Sequence, residues 1–278
     1  MELTHKAHHL IIGDPQSSTG RHLRIVHISD THDEHDDFIR SGLIPEGDIL
    51  IHSGDFSKQQ IARHQDLQTF IKPVESFFHE LPHKHKIFVP GNHDYSLEEH
   101  EDVEIQTLLP SAIYLHDREI SIEGLSIYGT GWTRLRESSQ ARAFALPADE
   151  TSMYWAKIPS GVDILVSHSP PYGILDHDNA DETPAVTGCT PADECTHGHL
   201  GCMHLYKAVF NKIRPKLNLI GHSHFGNGVV WHDGIAFSNA AMEKVPVPTV
   251  IDFYYTPQVQ TRTKEGRCMG QTTVTAKY

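Results

Sequence analysis

Short apolar runs recur along the chain, and each one stops at a polar cluster. HLRIVHIS (22–29) leads into DTHDEHDD, GDILIHS (47–53) into Gly54–Asp55–Phe56, and KIFV (86–89) into Pro90–Gly91–Asn92–His93–Asp94. DILVSHSPP (163–171) and KLNLIGHSH (216–224) close in the same way. Runs of branched residues bounded by turn residues predict buried strands. Between them, Leu67, Phe70, Ile71, Val74, Phe77, Phe78 and Leu81 fall at helical spacing and predict a helix over about 59–81, kinked or restarted at Pro73. Ser96 and Glu99 read as a capping box for a helix through about Leu109, and further helices are expected near 149–157 and 201–213. Residues 113–115, 119–122 and 125–129 predict short antiparallel strands, and 228–232, 235–238 and 249–255 predict three more. Strands alternating with helices argue for an α/β organisation. Residues 1–20, ending in GDPQSSTG, read as a loosely ordered arm; no repeat or linker divides 21–278, which is expected to be a single domain.

Composition narrows the class. The 278 residues are 38% hydrophobic and 21% charged, as in an ordinary globular protein with a sizeable core. No run approaches the ~18 apolar residues of a membrane span, and the N-terminus lacks a basic-then-apolar leader, so a cytoplasmic protein without a membrane partner is expected. A formal charge of −13 argues against duplex nucleic acid as a partner. Four cysteines in a chain of this size do not suggest a disulfide scaffold. The 23 histidines are the unusual feature, since imidazole is the commonest metal ligand.

Five strand ends now offer Asp, Asn or His: Asp30–Thr31–His32, Gly54–Asp55, Gly91–Asn92–His93–Asp94, Ser167–His168 and Gly221–His222–Ser223–His224. Functional groups in α/β sheets gather at the carboxyl ends of strands. Asp30, Asp55 and Asn92 with His32, His168, His222 and His224 form a set of seven candidate ligands, too many for one tetrahedral zinc and suited to two ions that share a carboxylate. Mixed N/O ligation fits Mn²⁺ best, with Fe or Zn²⁺ as alternatives to it. Gly54, Gly91 and Gly221 are expected to let the backbone turn sharply just before a ligand. Pro171–Tyr172 and Gly131–Trp132 follow strand ends and could wall the site with aromatic rings. The Cys/His-rich segment 176–204 matches no compact zinc pattern and reads as a loop overhanging the site, with His177, His197 or His199 near substrate; Asp33 to Asp37 read as a solvated loop.

In order and separation, DTH, GDF, GNHD, SH and GHSH resemble the blocks of the calcineurin-like metallophosphoesterases over about residues 23–255, and the surrounding text is most similar to the small metallophosphoesterase-domain-containing subgroup. The resemblance implies a four-layer αββα sandwich of two mixed sheets flanked by helices. It implies that Asp30, His32 and His224 hold one metal, that Asn92, His168 and His222 hold the other, and that Asp55 bridges them. His93 then becomes the catalytic imidazole, with Asp94 placed to orient it. The family's arginine beyond the GDF aspartate has no counterpart at Ser57–Gln60. The implied activity is hydrolysis of small phosphoesters, first of all diesters such as cyclic nucleotides, by a hydroxide that two metals generate near neutral pH. A phosphomonoesterase or protein-phosphatase-type activity and a catalytically weak metal-binding scaffold are the alternatives.

Overall fold

The computed structural model describes residues 7–17, 20–58, 66–136, 139–177 and 198–257. Among these, one six-stranded sheet runs β1 (His8–Ile12), β14 (Thr249–Tyr255), β2 (Arg21–Ile28), β3 (Ile49–His52), β4 (His85–Phe88), β5 (Ile113–Tyr114). A second runs β12 (Gly228–His232), β13 (Ile235–Asn239), β11 (Leu217–Ile220), β10 (Ile164–Ser167), β7 (Leu125–Thr130), β6 (Arg118–Ile122). A small pair, β8 (Thr133–Arg134) with β9 (Ala145–Leu146), sits apart from both. The helices are α1 (His35–Arg40), α2 (Leu67–Glu80), α3 (Tyr95–Glu98), α4 (Asp102–Leu108), α5 (Thr151–Trp155) and α6 (Met203–Ala208), the last continuing as a π-helical turn over Val209–Ile213.

The burial pattern explains the layering. The strands β3, β10 and β11 are buried at every position, as expected of sheet interiors covered on both faces. One cluster, with Ile25, Ile49, Ile51 and Ile87 from the first sheet and Ile127, Ile164, Val166 and Leu219 from the second, fills the space between the sheets. The opposite face of the first sheet (Val26, Ile28, Leu50, Phe88) packs on Phe70, Ile71, Val74, Phe77 and Phe78 of α2. The opposite face of the second (Tyr128, Leu165, Ile220, Phe237) packs on Trp155, Leu205, Val209 and Ile213. The result is the expected αββα sandwich.

The two sheets are also joined by a polar link. The buried His27 ring of β2 lies 2.9 Å from Ser238 Oγ of β13 and 2.9 Å from Ser53 Oγ. Burial, helped by the neighbouring His52, pushes its pKa down to about 3, so the ring is neutral.

Five local expectations change. Residues 8–12 are not part of a loose arm: β1 pairs in parallel with β14 from His8↔Thr249 to Ile12↔Phe253, and the alternation of HHLII buries Leu10 and Ile12. The strand β5 does not join an antiparallel set with β6 and β7; it pairs in parallel with β4, and β6–β7 form a hairpin in the other sheet. The helix after GNHD breaks into α3 and α4, and Ser96 lies inside α3 rather than capping it. The run read as a solvated loop contains α1, whose His35 is buried against Phe56 with ring centroids 4.1 Å apart. Nor does a helix restart at Pro73: α2 passes through it unbroken, capped by Asp66, which accepts from the Thr69 amide at 3.0 Å; residues 59–65 of its expected span lie outside the described residues.

Candidate metal centre

The strands β2, β3 and β4 are parallel neighbours in one sheet, and β10 and β11 are parallel neighbours in the other. Their carboxyl ends therefore deliver Asp30 and His32, Asp55, Asn92, His168, and His222 and His224 to one edge of the sandwich. The turns are forced: Asp30, His32, Asp55 and His222 all have positive φ (51°, 43°, 57° and 66°), a region that non-glycine residues rarely enter and that clusters at functional sites. Gly54, with φ 111°, does supply a turn that only glycine adopts freely. Gly91 and Gly221 serve a different purpose from the one expected. A Cβ on Gly91 would sit 2.2 Å from Asp55 Oδ1, and one on Gly221 would sit 2.4 Å from Asp30 Oδ2, so glycine there makes room for carboxylates.

Side chains from both sheets converge in three groups whose candidate ligand atoms lie within 4.8 Å of one another: Asp30, His32 and His224; Asp55, His168 and His222; and His32, Asp55 and His93. Hydrogen placement shows what the groups can hold. His168 Nδ1 donates to the Ser53 carbonyl at 2.8 Å, which turns Nε2 toward Asp55 Oδ2 at 3.2 Å and Asn92 Oδ1 at 3.0 Å. His32 Nδ1 donates to the Ser57 carbonyl at 3.0 Å, and His224 Nδ1 donates to the Glu243 carboxylate. Their Nε2 atoms then face each other at 3.1 Å, with Asp30 Oδ1 3.2 Å from His224 Nε2. Lone pairs that face lone pairs in a buried site need a proton or a metal cation between them, and outer carbonyls or carboxylates that hold the second imidazole hydrogen are the usual support of metal-bound histidine. The donor set therefore fits divalent metal. His222 Nδ1 adds a further donor 2.6 Å from Asn92 Oδ1.

The charges agree. Burial pulls His168 down, but the adjacent Asp55 carboxylate outweighs it and raises the pKa to about 9. Burial would raise Asp55 and Asp30 as well, but the surrounding imidazoles hold both carboxyls well below the ordinary range, so both are ionised. Burial lowers the pKa of His32, leaving a neutral imidazole suited to ligation.

Comparison with known proteins accounts for this arrangement. Residues 23–226 match the Metallophos family, described as calcineurin-like phosphoesterase. The chain belongs to that family. It is 30% identical to human metallophosphoesterase domain-containing protein 1 over 82% of this chain and 70% of the relative. It is 31% identical to a UPF0046 protein of Caenorhabditis elegans, over 79% of this chain and 75% of the relative. A solved structure covering 84% of this chain and 95% of its own superposes with a TM-score of 0.58 at 17% identity, a likeness of fold. Calcineurin-like phosphoesterases are metal-dependent phosphoester hydrolases with dinuclear centres, and the His/Asp groups described above offer such a centre its donors.

His93 borders the cleft of this phosphoesterase fold. Its Nε2 lies 4.0 Å from Asp55 Oδ2 and its ring meets His32 edge-on at 4.8 Å. Asp94, however, does not orient it. Both Asp94 oxygens are occupied by backbone amides, those of Gly91 (2.8 Å), Asp55 (3.0 Å), Phe56 (3.1 Å) and Ser57 (3.3 Å), while His93 Nδ1 has no hydrogen-bond partner. Burial and the neighbouring Asp55 charge push the Asp94 pKa up to about 8, while the amides favour its ionised form. Its role is to tie the GDF loop to the GNHD turn.

The other sequence-based candidates lie away from the cleft. Trp132 donates Nε1–H to Asp117 and meets Tyr154 edge-on, and the buried Tyr172 ring lies 4.5 Å from His199. His177 and His199 are buried rather than turned to substrate, and His197 and the rest of 178–197 lie outside the described residues. Cys202, also proposed to sit in an overhanging loop, is buried and accepts from Trp155 Nε1. Glu243 and Asn239 were missed. Asn239 donates to the Leu175, Gly221 and Ser223 carbonyls and so braces the GHSH turn. Among the described residues no helix is long and apolar enough to cross a membrane.

Proposed function

We propose that this phosphoesterase is a phosphodiesterase that uses two divalent metals, with Mn²⁺ the best fit, acting on small diesters such as cyclic nucleotides. Asp30, His32 and His224 would hold one ion, Asn92, His168 and His222 the other, and Asp55 would stand between them. The observation that carries the reading is the direction of the imidazole hydrogens: Ser53, Ser57 and Glu243 take those of His168, His32 and His224, which aims three Nε2 atoms at the Asp30 and Asp55 carboxylates. Bound cations at such a site supply Lewis acidity toward phosphoryl oxygens and acidify water.

The chain's own residues account for the rest. Asp55 is fixed by the His93 amide, which donates to Oδ1 at 2.8 Å, so its position and that of the His93 ring are set together. Asp30 Oδ2 accepts from the His222 amide at 3.0 Å and from Ser29 Oγ at 2.5 Å, and the same amide reaches Oδ1 at 3.1 Å, which keeps both oxygens in place. His93 is positioned to hold a proton at Nε2 and pass it to the leaving alkoxide. Such acid assistance contributes about 10²–10⁴-fold.

The test is to strip the protein with chelator, restore Mn²⁺ and compare bis(p-nitrophenyl) phosphate with p-nitrophenyl phosphate. Activity should return as two equivalents bind and should favour the diester. Saturation at one equivalent, or preference for the monoester, would overturn the corresponding part of the reading.

A further inference from the structure

The cleft has a second half that the ligand motifs do not supply. Its cavity, about 330 Å³, is floored by the donor cluster and walled by Arg136, Ser139, Leu200 and Phe225. That volume is near the lower end for small-molecule pockets, enough for a phosphoryl group with one ring-sized substituent. The four residues come from connections: Arg136 and Ser139 from the β8–β9 loop, Leu200 from the segment before α6, and Phe225 from the turn after His224.

Leu200 and Phe225 are mounted on fixed supports. Asp176, fully buried, accepts from His199 Nδ1 at 3.0 Å and from the Gly201 amide at 3.1 Å, so the residue between them, Leu200, is held from both sides. A Cβ on Gly201 would lie 2.5 Å from Asp176 Oδ2, which fixes that clamp's spacing. Phe225 is 40% exposed, although a phenyl ring of this size usually seeks cover. Its turn cannot fold it inward: the Gly226 amide donates to the Ser223 carbonyl at 3.0 Å, Ser223 Oγ donates to the His177 carbonyl at 2.6 Å, and a Cβ on Gly226 would meet the Leu175 carbonyl oxygen at 2.0 Å. The β8–β9 loop is tied to the donor cluster itself, since the Ala143 amide donates to the Asn92 carbonyl at 3.1 Å. Arg136 is the one Lys or Arg side chain among the described cleft-lining residues, placed where an anion bound by the cluster would extend.

We propose that this half-cleft is a subsite for phosphoesters carrying a flat, uncharged ring. Phe225 and Leu200 take the ring, and Arg136 takes phosphoryl oxygens, which supplies from a distant loop the arginine that Ser57–Gln60 lack. The inference rests on the phosphoester reading for the identity of the anion.

Calorimetric titration of the Mn²⁺-loaded full chain with phenyl phosphate and with methyl phosphate tests it by binding. The wild type should bind the phenyl ester at least about tenfold more tightly, the scale of one aromatic stacking contact. Phe225→Ala should shrink that ratio to within about threefold, with Phe225→Leu intermediate. Arg136→Ala should weaken both esters by about tenfold or more at unchanged Mn²⁺ content, the scale of a charge-assisted hydrogen bond lost. A wild type that does not discriminate, a Phe225→Ala protein that keeps the preference, or an Arg136→Ala protein within twofold of wild type would each overturn the proposal. A Phe225-dependent preference in a protein that hydrolyses no diester would sink the diesterase reading and keep the subsite. Diester turnover without ring preference would do the reverse.

Discussion

At the scale of single residues, the donor cluster depends on where imidazole hydrogens are sent. Glu243 shows this best, because nothing in the GHSH motif announces it. Removing its negative charge without changing its shape (Glu243→Gln) should weaken metal affinity by about 10–100-fold, the usual cost of losing such a supporting carboxylate, while leaving the fold intact. Metal titration monitored against circular dichroism checks both halves of that expectation. His93 tests the opposite case, a residue at the cleft that the proposed ligand sets leave out. His93→Asn should retain both metals by elemental analysis yet lose about 10²–10⁴-fold in kcat. Full activity in that variant would remove His93 from the chemistry. The neighbouring Asp94 marks the limit of reading motifs by adjacency. Its identity was legible, but its use by amides of Gly91 and of residues 55–57 was not, because that depends on how two loops from different strands approach each other.

At the scale of elements, the strands that end in ligands were legible because each is a short branched run with a polar stop, and burial on both faces leaves few other residue types possible. Less regular pieces were not. The strand β1 offers only His8–Ile12, with two histidines in five residues, and it is a strand because β14 is there to pair with it. The recognition loops bearing Arg136, Leu200 and Phe225 have no period at all. Polar anchoring stands in for apolar content at the β1 edge: burial would raise the Asp252 carboxyl, but hydrogen bonds from Arg24, His9 and His22 hold it well below the usual carboxylate range. A carboxyl whose pKa is depressed by folding contributes stability above its unfolded value, about pH 4, and loses it as the pH falls toward the folded value. Asp252→Asn should therefore lower the denaturation midpoint at neutral pH, and the gap to wild type should close as titrations are repeated below about pH 4. A gap independent of pH would assign the effect to packing alone.

At the scale of the whole molecule, two of the three donor groups draw on both sheets. Asp30 and His32 follow β2 while His224 follows β11, and Asp55 follows β3 while His168 and His222 follow β10 and β11. Ions bound there would hold the sandwich together at its open edge, alongside the His27–Ser238 link within it. A ligand present at about 100 times its dissociation constant stabilises the folded state by about 2.7 kcal/mol. Chelation should therefore lower Tm by several degrees and Mn²⁺ should restore it, as scanning calorimetry would show; a Tm indifferent to metal would mean that the donors are not engaged.

The distance along the chain between these partners has a further implication for biosynthesis. Asp30 accepts a hydrogen bond from a residue 192 positions later. A polypeptide still emerging from the ribosome has neither complete set of donors until His222 and His224 are out. Metal acquisition thus belongs to the finished molecule, and a chain arrested earlier would display scattered carboxylates and imidazoles but no dinuclear trap.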